Sequence, residues 1–177
     1  AELGEYLISE EDEPLELTVG KLLKARKLTL ATAESCTGGL VAKRITDISG
    51  SSDYFLGGFI SYSNHLKIKE LGVSEDLLKE KGAVSKEVAR EMAKAARDKT
   101  GADIAIGITG IAGPTGGTLE KPVGTVHIAL ADEKGLWDQK FRFLPISREA
   151  VRMLSAETAL EIIRRRLLNL RMPGETR

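Results

Sequence analysis

The stretch LTLATAESCTGGLVAKRITDI, Leu28–Ile48, decides how the chain is read. Leu28 to Ala33 is short, apolar and partly β-branched, which predicts a strand. Glu34-Ser35-Cys36-Thr37-Gly38-Gly39 is a tight polar turn. From Gly38 to Ile48, the apolar residues Leu40, Val41, Ile45 and Ile48 share one side of a helix. A strand that feeds a helix through a short loop is the building unit of an α/β domain.

The alternation continues in both directions. Upstream, Leu17–Lys27 reads as a helix through Leu17, Val19, Leu22 and Leu23. Downstream, Phe55–Ser63 fits a strand, although Gly57 and Gly58 weaken its start. Short helices are expected over Asn64–Leu71, with Asn64 as its cap, and over Ser74–Lys81. Ser85 caps a longer helix that Gly101 closes. Ile104–Ile108 (IAIGI) is a nearly continuous apolar run, as expected of a strand covered on both faces. Val123–Ala131 and Trp137–Phe143 give two more strands, joined near Asp132–Gly135 and therefore paired antiparallel. Ser147 caps a last helix with Val151, Leu154, Thr158 and Ile162 along its inner stripe. The expected fold is a three-layer α/β/α sandwich with a mixed, mostly parallel sheet of about five strands.

Composition narrows the function. The chain has 177 residues, 42% hydrophobic and 29% charged, as in an ordinary globular domain. Twenty-six basic residues balance twenty-six acids, which argues against a dedicated nucleic-acid binder. No apolar run approaches the roughly 20 residues that span a bilayer. Residues 1–16 hold seven acids and no base, unlike a secretory signal, and read as an acidic tail or loosely attached segment. Residues 17–170 form the single domain, and 171–177 a basic tail. Arg164, Arg165 and Arg166 read as a solvated helix face, with a contact between the oppositely charged ends as the alternative. Cys36 is the only cysteine, so no intrachain disulfide forms and a cytoplasmic setting is the natural reading. His65 and His127 match no metal-ligand spacing. Homo-oligomerisation is expected, as in many small α/β enzymes.

Three loops leave the carboxyl ends of strands, where ligands of open α/β sheets bind. In the first, Ser35 precedes a helix start at Thr37 or Gly38. Backbone N–H groups there can hold an oxyanion or a phosphate, and Gly38 and Gly39 let a ligand approach closely. The bland alternative is a plain helix cap. A serine needs a base to become a nucleophile. Lys67, in the first turn of a short helix, is the better candidate, because the helix dipole and partial burial both favour its neutral amine. The alternative is an exposed lysine. Cys36 adjoins Ser35 but reads as a small core residue. Tyr62 either donates a hydrogen bond in the same crevice or packs. The third loop, Thr109–Gly117, carries Gly110, Gly113, Gly116 and Gly117 but neither a Walker A nor a dinucleotide fingerprint. Thr109 either meets a ligand or caps the turn. Arg148 lies in the first turn of the last helix, where a cation is unfavourable unless an anion is near, be it a phosphate or a carboxylate.

In their order along the chain, TAESCTGGLVAKRITDISGSS (Thr32–Ser52), GGFISYSNHLKIKELGV (Gly57–Val73), GAVSKEVAREMA (Gly82–Ala93), ITGIAGPTGG (Ile108–Gly117) and KPVGTVHIAL (Lys121–Leu130) resemble the CinA C-terminal domain family. Its enzymatic members are nicotinamide-nucleotide amidohydrolases. The resemblance implies hydrolysis of the carboxamide of nicotinamide mononucleotide to nicotinate mononucleotide and ammonia, without metal or other cofactor. It implies Ser35 as nucleophile, Lys67 as base, Tyr62 and Thr109 in support, and Arg148 at the substrate phosphate. Thr37, Gly38, Gly39, Gly110, Gly113 and Gly117 would line the substrate. Longer members carry a pyrophosphatase-type domain for which this chain leaves no room, so neither that activity nor its metal is carried over. The alternatives are a nucleotide-binding module without chemistry, or an amidase for another carboxamide.

Overall fold

The computed structural model describes residues 13–175. Most of the segment expected as an acidic tail, residues 1–12, lies outside the described residues. The helix after it begins two residues earlier than expected: α1 spans Leu15–Arg26. It is followed by β1 (Leu30–Glu34), α2 (Leu40–Thr46), β2 (Phe55–Ile60), α3 (Asn64–Leu71), α4 (Glu75–Lys81) and α5 (Lys86–Thr100). The chain continues through β3 (Ile104–Gly110), β4 (Thr125–Asp132), β5 (Gly135–Arg142) and α6 (Arg148–Leu167).

The five strands form one mixed sheet in the order β2-β1-β3-β4-β5. β1 pairs parallel with β2 and β3, whereas β4 pairs antiparallel with both β3 and β5. β4 therefore runs against the other strands, and antiparallel pairing starts one strand earlier than the β4–β5 turn implied. Helices α1, α2 and α6 pack together on one face, and α3, α4 and α5 on the other.

Strand composition explains the layering. Side chains alternate between the faces of a sheet. Towards α1, α2 and α6 point Leu30, Ile104, Ile106, Ile108, Val126, Ile128 and Leu130. Towards α5 point Ala31, Ala33, Ala105, Ala129 and Ala131, with Gly107 in the same phase. The run IAIGI is thus an alternation of large and small residues, and the small ones let α5 lie close against the sheet. A Cβ on Gly107 would stand 2.4 Å from the Ala89 carbonyl oxygen and 2.6 Å from the Ala93 nitrogen. Gly107→Ala should therefore push α5 off the sheet and lower stability by about 2–4 kcal/mol in chemical denaturation, since the clash is with helix backbone.

Several expectations of detail change. Gly57 and Gly58 lie within β2, where a Cβ on Gly58 would meet Thr32 Oγ1 at 2.1 Å, so the glycine permits the pairing. In α6, Val151 and Ile162 are buried as expected, but Leu154 is 41% exposed. Small residues replace it on the inner stripe: Ser155, Ala156 and Ala159 are fully covered, which brings α6 close to its neighbours. Arg164, read as part of a solvated face, is only 1% exposed and makes a two-pronged contact with Glu161, its Nε and Nη2 donating at 2.6 and 2.8 Å. Met172, in the segment expected as a tail, is buried in the core.

Candidate active site

The period of two that builds the core also sorts the first loop. Glu34 follows the phase of Leu30 and Thr32 and turns towards α2. Ser35 follows Ala31 and Ala33 and turns towards α3. Both are buried.

Glu34 is the residue that the sequence reading left without a role. Its carboxylate accepts from the amides of Gly39 (3.0 Å), Val41 (3.1 Å) and Ala42 (2.9 Å). It caps α2 from the preceding strand, which corrects the expectation of free N–H groups at that helix start. The Gly38 amide is also taken, by the Ser35 carbonyl at 3.0 Å. The Cys36 and Thr37 amides turn towards the Cys36 sulfur. A carboxylate just ahead of a helix start was the available signal. Removing it strands three donors, one buried and two partly buried, so Glu34→Ala should cost about 2–4 kcal/mol in thermal or urea unfolding.

Ser35 meets Lys67. Lys67 Nζ lies 2.9 Å from Ser35 Oγ, 2.7 Å from the Ser61 carbonyl oxygen and 3.4 Å from the Tyr62 carbonyl oxygen. The lysine is 1% exposed, and among the described residues no carboxylate pairs with it. Burial lowers its pKa to about 8, with the neighbouring Cys36 pulling weakly the other way. The cap of α3 is Ser63, whose Oγ accepts from the Leu66 amide at 3.1 Å, not Asn64. Lys67 thus sits one residue past the first turn, and burial rather than the helix dipole sets its state. Burial also pushes the Cys36 thiol up to about 12, leaving it a protonated core residue.

A cavity of about 200 Å³ opens in front of this pair, walled by Ala83, Val84, Thr109, Gly110 and Ala112, with Tyr62 and Arg148 at its mouth. Thr109 Oγ1 donates to the Ala83 carbonyl at 2.8 Å, which ties the loop before α5 to the end of β3. Arg148 donates to the Gly113 carbonyl (2.8 Å) and to Tyr62 Oη (2.7 Å). Among the described residues its partners are thus two neutral oxygens and not a carboxylate. Tyr62 is 57% exposed, so it is neither a packed core residue nor sealed inside the cavity.

The remaining expected substrate residues do not line the cavity. Gly38 and Gly39 take positive φ (61° and 91°), which makes the turn that aims Glu34 at α2. The Thr37 carbonyl accepts from Arg152 at 2.8 Å. Gly113 anchors Arg148, and Gly117 lies against the Val123 backbone. Among the described residues, no three His, Cys, Asp or Glu side chains converge on a metal site, and no helix is long and apolar enough to cross a membrane.

Fold and site together define a three-layer α/β protein with a buried serine–lysine pair at the carboxyl edge of its parallel strands. Residues 12–167 match the CinA C-terminal domain, and the chain belongs to that family. A CinA-like protein of Geobacter sulfurreducens is 52% identical over 166 residues, 94% of this chain and 40% of the relative. One from Geotalea daltonii is 53% identical over the same shares. The chain thus spans about two-fifths of the length of these curated relatives. Among solved structures, the competence/damage inducible protein CihA from Agrobacterium tumefaciens matches with a TM-score of 0.82 at 41% identity, covering 84% of this chain and 91% of that one. The CinA superfamily protein from Escherichia coli matches with a TM-score of 0.82 at 32% identity, covering 92% and 97%.

Proposed function

We propose that the chain hydrolyses the carboxamide of nicotinamide mononucleotide, giving nicotinate mononucleotide and ammonia. The observation that carries this reading is the 2.9 Å contact between Ser35 Oγ and a buried Lys67 amine that has no carboxylate partner among the described residues. A neutral amine has two N–H donors and one lone pair. The Ser61 and Tyr62 carbonyls take the donors, and the lone pair faces the Ser35 hydroxyl. Lys67 removes the hydroxyl proton as Oγ attacks the amide carbon. The carbonyl oxygen gains charge, and the Cys36 and Thr37 amides, beside the nucleophile, turn from the Cys36 sulfur to receive it. The ammonium of Lys67 then gives its proton to the nitrogen as the C–N bond breaks and ammonia leaves. Water attacks the acyl-serine, Lys67 accepts its proton and returns it to Oγ, and the acid is released.

Tyr62 and Arg148 hold the mouth of the cavity, and Thr109 and Gly110 form its wall. The lone, buried thiol of Cys36 suits a reducing, cytoplasmic setting. The test is ammonia release from nicotinamide mononucleotide, with competition by other carboxamides to rank the substrates. Turnover of the mononucleotide is expected. Binding of the mononucleotide without ammonia release would reduce the site to a nucleotide-binding module. Preferred turnover of a different amide would change the substrate and keep the chemistry.

A further inference from the structure

The row of side chains that begins at Ser35 does not stop at the cavity. β1 and β3 are in register with Glu34 beside Ile108, so Ser35 is followed across the sheet by Thr109. Thr109 faces His127 on β4, and His127 faces Lys140 on β5. All four lie in the α5 phase of the sheet. His127 and Lys140 border a second, wider cleft of about 370 Å³, and Val84 lines both this cleft and the cavity before Ser35. The two spaces are neighbours across one side chain.

The second cleft has the features of an anion site. His127 is more than nine-tenths buried, and its Nδ1 has no hydrogen-bond partner. Lys86, Lys121 and Lys140 line the cleft, and among the described residues none of them is in an ion pair. Lys121 spends one N–H on the Lys81 carbonyl at 2.6 Å. Lys81 itself pairs with Glu80 at 2.8 Å. Glu80, Glu87 and Glu120 also lie on the lining, so the cleft is not uniformly positive. Around the imidazole stand Lys140 and Lys121 against Asp138 and Glu87, but Asp138 is held by Arg90 at 2.8 Å. Burial first, and then the two lysines, lower the His127 pKa. Strands repeat at about 4.8 Å, so His127, two strands from Ser35, is roughly 10 Å away. That is the order of distance between the carboxamide and the phosphate of a mononucleotide.

We infer that the cleft of His127, Lys121 and Lys140 is a phosphate subsite, which holds the phosphate of the nucleotide while its carboxamide meets Ser35. The inference rests on the proposed amidohydrolase reading for the identity of the nucleotide. It places the phosphate here, while Arg148 keeps its contacts to Gly113 and Tyr62.

The test compares nicotinamide mononucleotide with nicotinamide riboside, which lacks the phosphate, in the wild type and in a Lys121→Ala/Lys140→Ala variant. KM for the mononucleotide should rise at least tenfold in the variant, with kcat/KM for the riboside within about twofold. Arg148→Ala should instead affect both amides alike. Equal effects of the double variant on both amides, or none on either, overturn the subsite. A second readout needs no turnover. Ribose 5-phosphate at millimolar concentration should move the His127 imidazole resonances of the wild type and raise the pH of their titration, and the double variant should lose both effects. Undisturbed resonances in the wild type overturn the subsite as well. If no amide is hydrolysed yet ribose 5-phosphate still reports at His127, the subsite stands and the amidohydrolase reading falls.

Discussion

Ser35→Ala should release ammonia from nicotinamide mononucleotide at less than about one-thousandth of the wild-type rate. The reason is specific to the site. Lys67 Nζ touches Ser35 Oγ, and the other close oxygens around the amine are main-chain carbonyls, which cannot attack carbon. Cys36 offers no substitute, because burial holds its thiol protonated. The variant should fold normally, since one side-chain hydrogen bond is worth about 1 kcal/mol. Thermal unfolding and product binding check that point. A variant still working at the wild-type rate would remove Ser35 from the mechanism.

Lys67→Met carries the second large effect, and it has two readouts. Methionine keeps an unbranched stem of similar length but has no base, so hydrolysis should fall by a comparable factor. In the wild type the working form is the neutral amine. Below a pKa of about 8, kcat/KM should therefore fall tenfold for each pH unit, and above it the profile should level off.

The second readout is stability. The unfolded lysine titrates near its ordinary 10.5, the folded one near 8. Between these values the unfolded chain carries a proton that the folded chain has released, so wild-type stability rises with pH across that window, by roughly 3 kcal/mol in all. Below pH 8 the gain is absent, because the folded state must hold a buried ammonium. The difference in unfolding free energy between wild type and Lys67→Met, followed by urea titration from pH 7 to pH 10.5, should show this rise. A flat difference would mean that the amine is not held neutral by burial.

Much of the site is legible in the sequence. Ser85, Gly101 and Ser147 end their helices where local chemistry said they would, because a cap depends on neighbours within a turn. Ser35 and Lys67 stood out for the same reason: each sits where a strand end or a short helix leaves polar atoms in a crevice. The failures share a cause. The turn that holds Gly38 and Gly39 reads in the sequence as an open anion site, yet the Glu34 carboxylate fills its amides. Leu154 was placed inside and Arg164 outside. Hydropathy along α6 does not say which face meets its neighbours, and small residues, not the largest apolar ones, decided it.

The alternation of Ile with Ala and Gly in β3 was in the sequence, and with it a sheet unequal on its two faces. Local sequence also fixed the loop that presents Ser35 at the end of β1, since strand periodicity and helix capping act over a few residues. Only the folded chain decided that Lys67, thirty-two positions along, would lose its water and meet that serine, and that His127 and Lys140 would continue the row beyond Thr109. Strand order and the layering of helices bring those residues together. Both arise from burying area across the whole sheet, a sum over distant contacts that no local pattern contains.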